Sequence, residues 1–231
     1  MLYFAHRGAS ARQVQNTVPA FALARRLGAS CYELDVHLTQ DGALVVHHDY
    51  SLQATAGAGM LLKNLTRADL QKYPLANRFD NQTLFVPELK EILPRVAPDL
   101  QLLNIELKND GNLYPGLEKR LLEELYARAP QMLSKILFSS FDYDTLARIR
   151  ELDKTARIGL LTRFFDVSLV LRLGAESVHM NHTRFTPETA QVCHRNGLNV
   201  YLYTVNEAPL AQRLAEQGAD GIFTDCIDLF V

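Results

Sequence analysis

Eight short apolar runs recur along this chain, beginning near residues 2, 30, 102, 136, 156, 177, 198 and 220, and segments with helical patterning separate them. Parallel strands cannot be joined by tight hairpins, so strand, crossover helix and strand repeat as one unit. The first unit is explicit. Leu2 to Ala5 reads as a strand ended by His6-Arg7-Gly8. Pro19 opens a helix with Phe21, Leu23, Ala24 and Leu27 on its apolar side, Gly28 closes it, and a strand follows at Cys31. Eight such units predict a (β/α)8 TIM barrel rather than a doubly wound sheet. No glycine-rich dinucleotide fingerprint or phosphate-cradling loop favours the alternative.

A chain of 231 residues suits one such barrel, so residues 1–231 are expected to form a single domain. Downstream helices are expected over 87–96, 117–129, 142–152, 166–173, 187–195 and 209–217. Residues 50–83 interrupt the rhythm after the second strand. They contain Gly57, Gly59, a short helix over 66–72 capped by Thr66, and a polar turn at 77–82. A connection that long without a strong strand reads as a small insertion or lid.

Twenty-four basic residues against 26 acidic ones give a net charge of −2, and no basic stripe argues for a nucleic-acid partner. Cys31, Cys193 and Cys226 lie far apart, which predicts reduced, buried thiols rather than disulfides. The N-terminus lacks the pattern of a signal peptide and no apolar stretch reaches transmembrane length, so a cytoplasmic location is expected. Monomer and homodimer are left open.

The chemistry concentrates in Cys31 to Asp49, CYELDVHLTQDGALVVHHD. A strand alternates its side chains, so Glu33 and Asp35 project from one face. Two adjacent carboxylates repel one another, and a cation or a shared proton offsets that repulsion. Active sites of such barrels lie at the C-terminal strand ends, where this chain places His6-Arg7, Glu33 with Asp35, Glu106 with Lys108, Ser139-Ser140, Tyr203 with Asn206, and Thr224-Asp225. Glu106 can therefore converge with Glu33 and Asp35. Three carboxylates make a hard-cation site suited to Mg2+ or Ca2+, whereas zinc fits less well. Glu106 and Lys108 could instead satisfy one another as a buried pair. Of the two adjacent histidines, period two lets one face the site. His48, with Asp49 to orient its ring, is preferred, and His47 is given a solvent or supporting role. His37 is expected at the rim, and His179, His182 and His194 as structural or surface residues.

These pieces resemble a known family in order and spacing. His6-Arg7-Gly8, Asn16-Thr17 with Phe21, ELDVHLTQDGALVVHHD, Asn104 to Lys108, Ser139-Ser140-Phe141, Tyr203 to Asn206 and Gly218 to Asp225 are similar to the motifs of the glycerophosphodiester phosphodiesterase family, across nearly the whole chain. The resemblance implies a metal-dependent phosphodiesterase on a barrel related to phosphatidylinositol-specific phospholipase C, with a small insertion at the active-site mouth. The family's catalytic histidines match His6 and His48, and its metal-binding carboxylates match Glu33, Asp35 and Glu106. Its phosphate-contacting cations match Arg7 and Lys108. Asn16, Phe141, Tyr203 and Asn206 lie in matched motifs and are expected around the pocket. Gln15 stands where the family usually has glutamate, and Tyr203 where it usually has tryptophan.

The expected reaction is hydrolysis of a small-molecule glycerophosphodiester to sn-glycerol 3-phosphate and an alcohol, with one histidine as base and the other as acid. Water and the substrate's 2-hydroxyl are alternative nucleophiles. A lysophospholipase-D-like or cyclic-phosphate-forming enzyme on the same barrel is the runner-up. A non-catalytic phosphodiester-binding barrel is the alternative from another class.

Overall fold

A computed structural model describes all residues from Met1 to Val231. In chain order the elements are β1 (Leu2–His6), α1 (Val18–Arg26), β2 (Cys31–Leu38), β3 (Leu44–Val46), β4 (Ser51–Leu52), α2 (Gln53–Ala56), β5 (Ala58–Leu61), α3 (Arg67–Leu70) and α4 (Leu89–Val96). They continue with β6 (Leu102–Leu107), α5 (Leu117–Arg128), β7 (Ile136–Ser140), α6 (Tyr143–Leu152), β8 (Arg157–Thr162), α7 (Val167–Leu173), β9 (Ser177–Asn181), α8 (Pro187–Arg195), β10 (Asn199–Tyr203), α9 (Ala208–Glu216) and β11 (Gly221–Thr224).

The sheet runs β1-β11-β10-β9-β8-β7-β6-β2 and closes through β1 against β2, every one of these pairings being parallel. Eight parallel strands with intervening helices form the expected TIM barrel. β3 adds one antiparallel strand on β2, pairing Val36 with Val46. Helix starts follow local chemistry. Asp142 and Asp166, read from sequence as first helical residues, lie just outside α6 and α7, where their carboxylates accept from the backbone N–H groups of Thr145 and Ser168. Glu88 also precedes α4, where its backbone N–H donates to Glu91 Oε2 at 2.8 Å.

Three apolar clusters organise the packing. The largest lies between sheet and helices and includes Leu34, Val36, Ile105, Phe138, Val178 and Ile222. Inside the barrel, Phe4, Leu102, Leu137, Tyr201 and Phe223 fill the interior, as a barrel of this strand number requires. The third cluster belongs to residues 50–83 and their surroundings: Leu52, Leu62, Leu65, Leu70 and Leu75 pack with Val14, Val45 and Val86. This segment also holds the small antiparallel pair β4–β5, which the sequence reading lacked. Gly57 reverses the chain between them at a φ of 68°, a backbone state that glycine adopts without strain.

All three cysteines are free, but Cys226 is only half-buried, contrary to the expectation of three buried thiols, because it follows β11 at the barrel mouth. No helix is long and apolar enough to cross a membrane.

Candidate active site

Strand register assembles the carboxylates. β1 pairs with β2 so that His6 is level with Glu33, and β2 pairs with β6 so that Asp35 is level with Glu106. Laterally paired residues share a sheet face, and period two puts Glu33 on the face of Asp35. The ligand atoms of Glu33, Asp35 and Glu106 consequently lie within 4.8 Å of one another. Glu33 and Asp35 are buried, and Glu106 is partly so.

Their hydrogen bonds leave the cluster incompletely satisfied. Glu33 Oε2 accepts from the backbone N–H of Arg7 at 3.0 Å, and Asp35 Oδ2 accepts from Asn16 Nδ2 at 2.8 Å. Lys108 Nζ donates to Glu106 Oε1 at 2.8 Å and stands 3.8 Å from Asp35 Oδ1, while Arg7 Nε lies 3.4 Å from Asp35 Oδ2. Asp35 Oδ1 is buried without a hydrogen-bond partner, a costly state that needs an explanation.

Electrostatics supply one. Burial first, then the charge of Asp35, raises Glu33 well above the usual carboxylate range. The same two causes raise Glu106 to about 7. Burial opposes ionisation of Asp35 too, but Arg7 and then Lys108 outweigh it and hold its carboxyl down. With only the chain's own charges, one carboxylate ionises readily and its two neighbours resist. A divalent cation removes that conflict and gives the orphaned Asp35 oxygen a partner, so these residues fit a hard-metal site.

Two imidazoles flank the carboxylates, each held through Nδ1 by a carboxylate. His6 Nδ1 lies 2.7 Å from Asp225 Oδ1, and His48 Nδ1 lies 2.7 Å from Asp49 Oδ1. Such a bond fixes ring orientation and tautomer, leaving Nε2 as the working nitrogen. His6 Nε2 stands 3.9 Å from Glu33 Oε2. Burial is the leading cause that lowers both imidazoles below their ordinary value, so both rest neutral near pH 7. Ser10 Oγ and Asn206 Nδ2 each donate to Asp225 at 2.9 Å, completing a network that the sequence reading did not assign. Its only sequence signal was Thr224-Asp225 at the end of the last strand.

The local backbone at β1 is equally constrained. Arg7 and Gly8 have φ of 58° and 84°, and a Cβ on Gly8 would meet the carbonyl carbon of Ala20 at 2.7 Å. Only glycine lets the loop turn back this closely under α1.

Two cavities meet at His6 and Arg7. The smaller, about 200 Å3, is lined by Glu33, His48, Glu106, Phe141 and Tyr203 as well. The larger, about 730 Å3, extends toward the insertion. Phe141 and Tyr203 stand edge to face at 6.2 Å. Asn16 lines neither cavity and instead supports Asp35 from behind, while Asn206 borders the larger one. His37 is not at the rim. It is fully buried, 2.8 Å from Tyr114 Oη and 3.3 Å from the His48 carbonyl, because β3 and residues 109–114 cover that end of β2. His47 is buried and borders the larger cavity. His179 is buried inside the barrel, and His194 pairs with Asp220 at the surface.

The pattern of the glycerophosphoryl diester phosphodiesterase family matches residues 6–229. The chain belongs to this family. It is 32% identical over 229 residues to a glycerophosphodiester phosphodiesterase of Caldanaerobacter subterraneus subsp. tengcongensis, covering 97% of this chain and 93% of that protein. It is 33% identical over 233 residues to one of Bacillus altitudinis, covering 97% and 94%. Among solved structures, an Oleispira antarctica phosphodiesterase in complex with the product sn-glycerol-3-phosphate superimposes with a TM-score of 0.92 at 27% identity, over 99% of this chain and 94% of that one. The glycerophosphodiester phosphodiesterase of Thermotoga maritima superimposes with a TM-score of 0.81 at 26% identity, over 100% and 96%. Membership of this family makes the chain a phosphodiester hydrolase, and its carboxylate cluster sits at the C-terminal end of the barrel strands, the end at which barrels of this kind carry their active sites.

Proposed function

We propose that this enzyme hydrolyses glycerophosphodiesters to sn-glycerol 3-phosphate and an alcohol. The observation that carries the reading is the convergence of Glu33, Asp35 and Glu106 within 4.8 Å, flanked by the His6–Asp225 and His48–Asp49 pairs. The all-oxygen donor set suits Mg2+ or Ca2+. Such a cation, when bound, offsets the negative charge that builds on the phosphoryl oxygens.

The chain's own residues do the rest. Arg7 and Lys108 add fixed positive charge beside the carboxylates. One neutral imidazole takes the proton of the attacking hydroxyl and later releases it to solvent, and the other takes up a proton from solvent at Nε2 and delivers it to the departing alcohol oxygen as the ester bond breaks. Each carboxylate on Nδ1 stabilises the imidazolium that forms during this exchange. Phe141, Tyr203, Leu161 and Phe223 enclose the smaller cavity and limit water there. Three unpaired thiols accord with a reducing, cytoplasmic compartment.

Hydrolysis of glycerophosphocholine and glycerophosphoglycerol, followed by phosphorus NMR with and without EDTA, tests the reading. The expected result is sn-glycerol 3-phosphate formation that stops on chelation and returns with added Mg2+ or Ca2+. Binding of either diester without turnover under metal-replete conditions would overturn it.

A further inference from the structure

A phosphodiester has two ester arms, and this site has two cavities that meet at His6 and Arg7. The smaller one contains the carboxylates and His48, and at about 200 Å3 is below the size of ordinary ligand pockets. The larger, at about 730 Å3, lies between the loop after β1 and the insertion and falls within that range. Resting on the function proposed above, the smaller cavity takes the glycerol phosphate end. The larger one is left for the alcohol arm.

The walls of that chamber have a definite polarity. Its only carboxylate, Asp225, is committed: Oδ1 to His6 and Ser10, Oδ2 to Asn206. Gln13 and Asn77 donate to Asp80 at 3.0 and 2.6 Å, and their own oxygens accept from backbone N–H groups. Gln15 gives its oxygen to Arg7 Nη1 at 2.7 Å, which leaves its amide donors uncommitted. Arg78 has no carboxylate within ion-pair distance and makes no hydrogen bond; its guanidinium lies over the Phe79 ring at 5.0 Å. Phe79 is the one benzene-type ring on this wall, and Arg78 covers its face. A quaternary ammonium would find neither a free carboxylate nor an open aromatic cage, and would meet a cation. An alcohol rich in hydroxyl oxygens would find charged and amide donors.

We propose that the chamber between the β1 loop and the insertion is the leaving-alcohol subsite, and that Arg78 and Gln15 select hydroxyl-rich alcohols without positive charge. Arg78 is exposed and outside all three apolar clusters, so its replacement leaves the fold intact.

The test measures binding apart from turnover. His48→Ala protein in Mg2+ is titrated calorimetrically with glycerophosphoinositol and with glycerophosphocholine, before and after adding Arg78→Glu. The expected result is tighter binding of the inositol diester, with the ratio of the two affinities falling about tenfold on Arg78→Glu and largely kept in Arg78→Lys. A ratio that Arg78→Glu moves by less than about twofold overturns the assignment. Turnover of both diesters by the His48-containing enzyme is measured in parallel. Normal turnover with an unmoved ratio sinks this subsite alone. A ratio that moves as expected, in an enzyme that cleaves neither diester, sinks the hydrolase reading and keeps the subsite.

Discussion

Asp225 Oδ1 lies 2.7 Å from Nδ1 of His6, joining the last strand of the barrel to the first across the seam where the sheet closes. The bond holds the imidazole in one tautomer. The His6 hydrogen bond is the chief cause that keeps the Asp225 carboxyl ionised against its burial. Asp225→Asn keeps the shape and loses the charge, so kcat is expected to fall by roughly 10² to 10⁴ with a much smaller change in KM. Steady-state kinetics, with circular dichroism confirming an unchanged fold, check it.

His6 borders both cavities, whereas His48 borders only the smaller one. From that difference we propose that His6 serves the departing oxygen and His48 the nucleophile's proton. Alanine at either position should cost on the order of 10² to 10⁴ in kcat on natural diesters. A p-nitrophenyl ester of glycerol phosphate has a leaving group that needs no acid. His6→Ala should recover most of its activity on that substrate, and His48→Ala should not. Recovery in His48→Ala alone would reverse the assignment, and equal recovery in both variants would abolish it.

Metal removal should be visible in stability as well as in rate. A ligand at a hundred times its Kd stabilises a protein by about 2.7 kcal/mol. For a chain of this length that corresponds to a rise of roughly 5–10 °C in Tm. Differential scanning fluorimetry with EDTA and then Mg2+ or Ca2+ should show the rise in the native protein. Glu106→Gln, which leaves two carboxylates, should show little of it.

His179 offers a pH test remote from the reaction. It packs inside the barrel 5.3 Å from Tyr201 and 5.2 Å from Phe223, with no carboxylate partner, and burial pushes its imidazole down to about 3. The unfolded chain takes up this proton below about pH 6.5 and the folded chain does not, so the unfolded state binds more protons as pH falls. Stability from this group is complete above about pH 6.5 and drains away toward pH 3, by on the order of 1 kcal/mol per pH unit. Urea unfolding midpoints between pH 4.5 and 7 should fall less steeply in His179→Gln than in the native protein.

The barrel was legible because every strand-and-helix unit repeats one patterning rule, and the carboxylates because period two and strand-end position are sequence properties. Glu33, Asp35 and Glu106 follow from those two facts alone. The support around them does not. Asp225 meets His6 only because β11 closes on β1, a contact between residues 219 positions apart that no local pattern encodes. His37 was misplaced because its cover, Tyr114, arrives from 77 residues downstream. The cavity lined by Arg78 depends on how an irregular segment folds back, which periodicity does not describe. Asp142 and Asp166 were off by one position because capping residues and first-turn residues look alike in sequence.

The eight-residue cluster that holds the insertion is separate from the barrel's main core, yet it includes Val14 from the β1 loop and Val45 from β3. Descendants of this chain can therefore rebuild residues 50–83 for a different alcohol while the groups that break the phosphate ester stay on an unaltered frame. These valines, together with Val86, set the limit of that freedom: a replacement segment must still seat against all three, or the loop carrying Arg7 and Val14 loses its support.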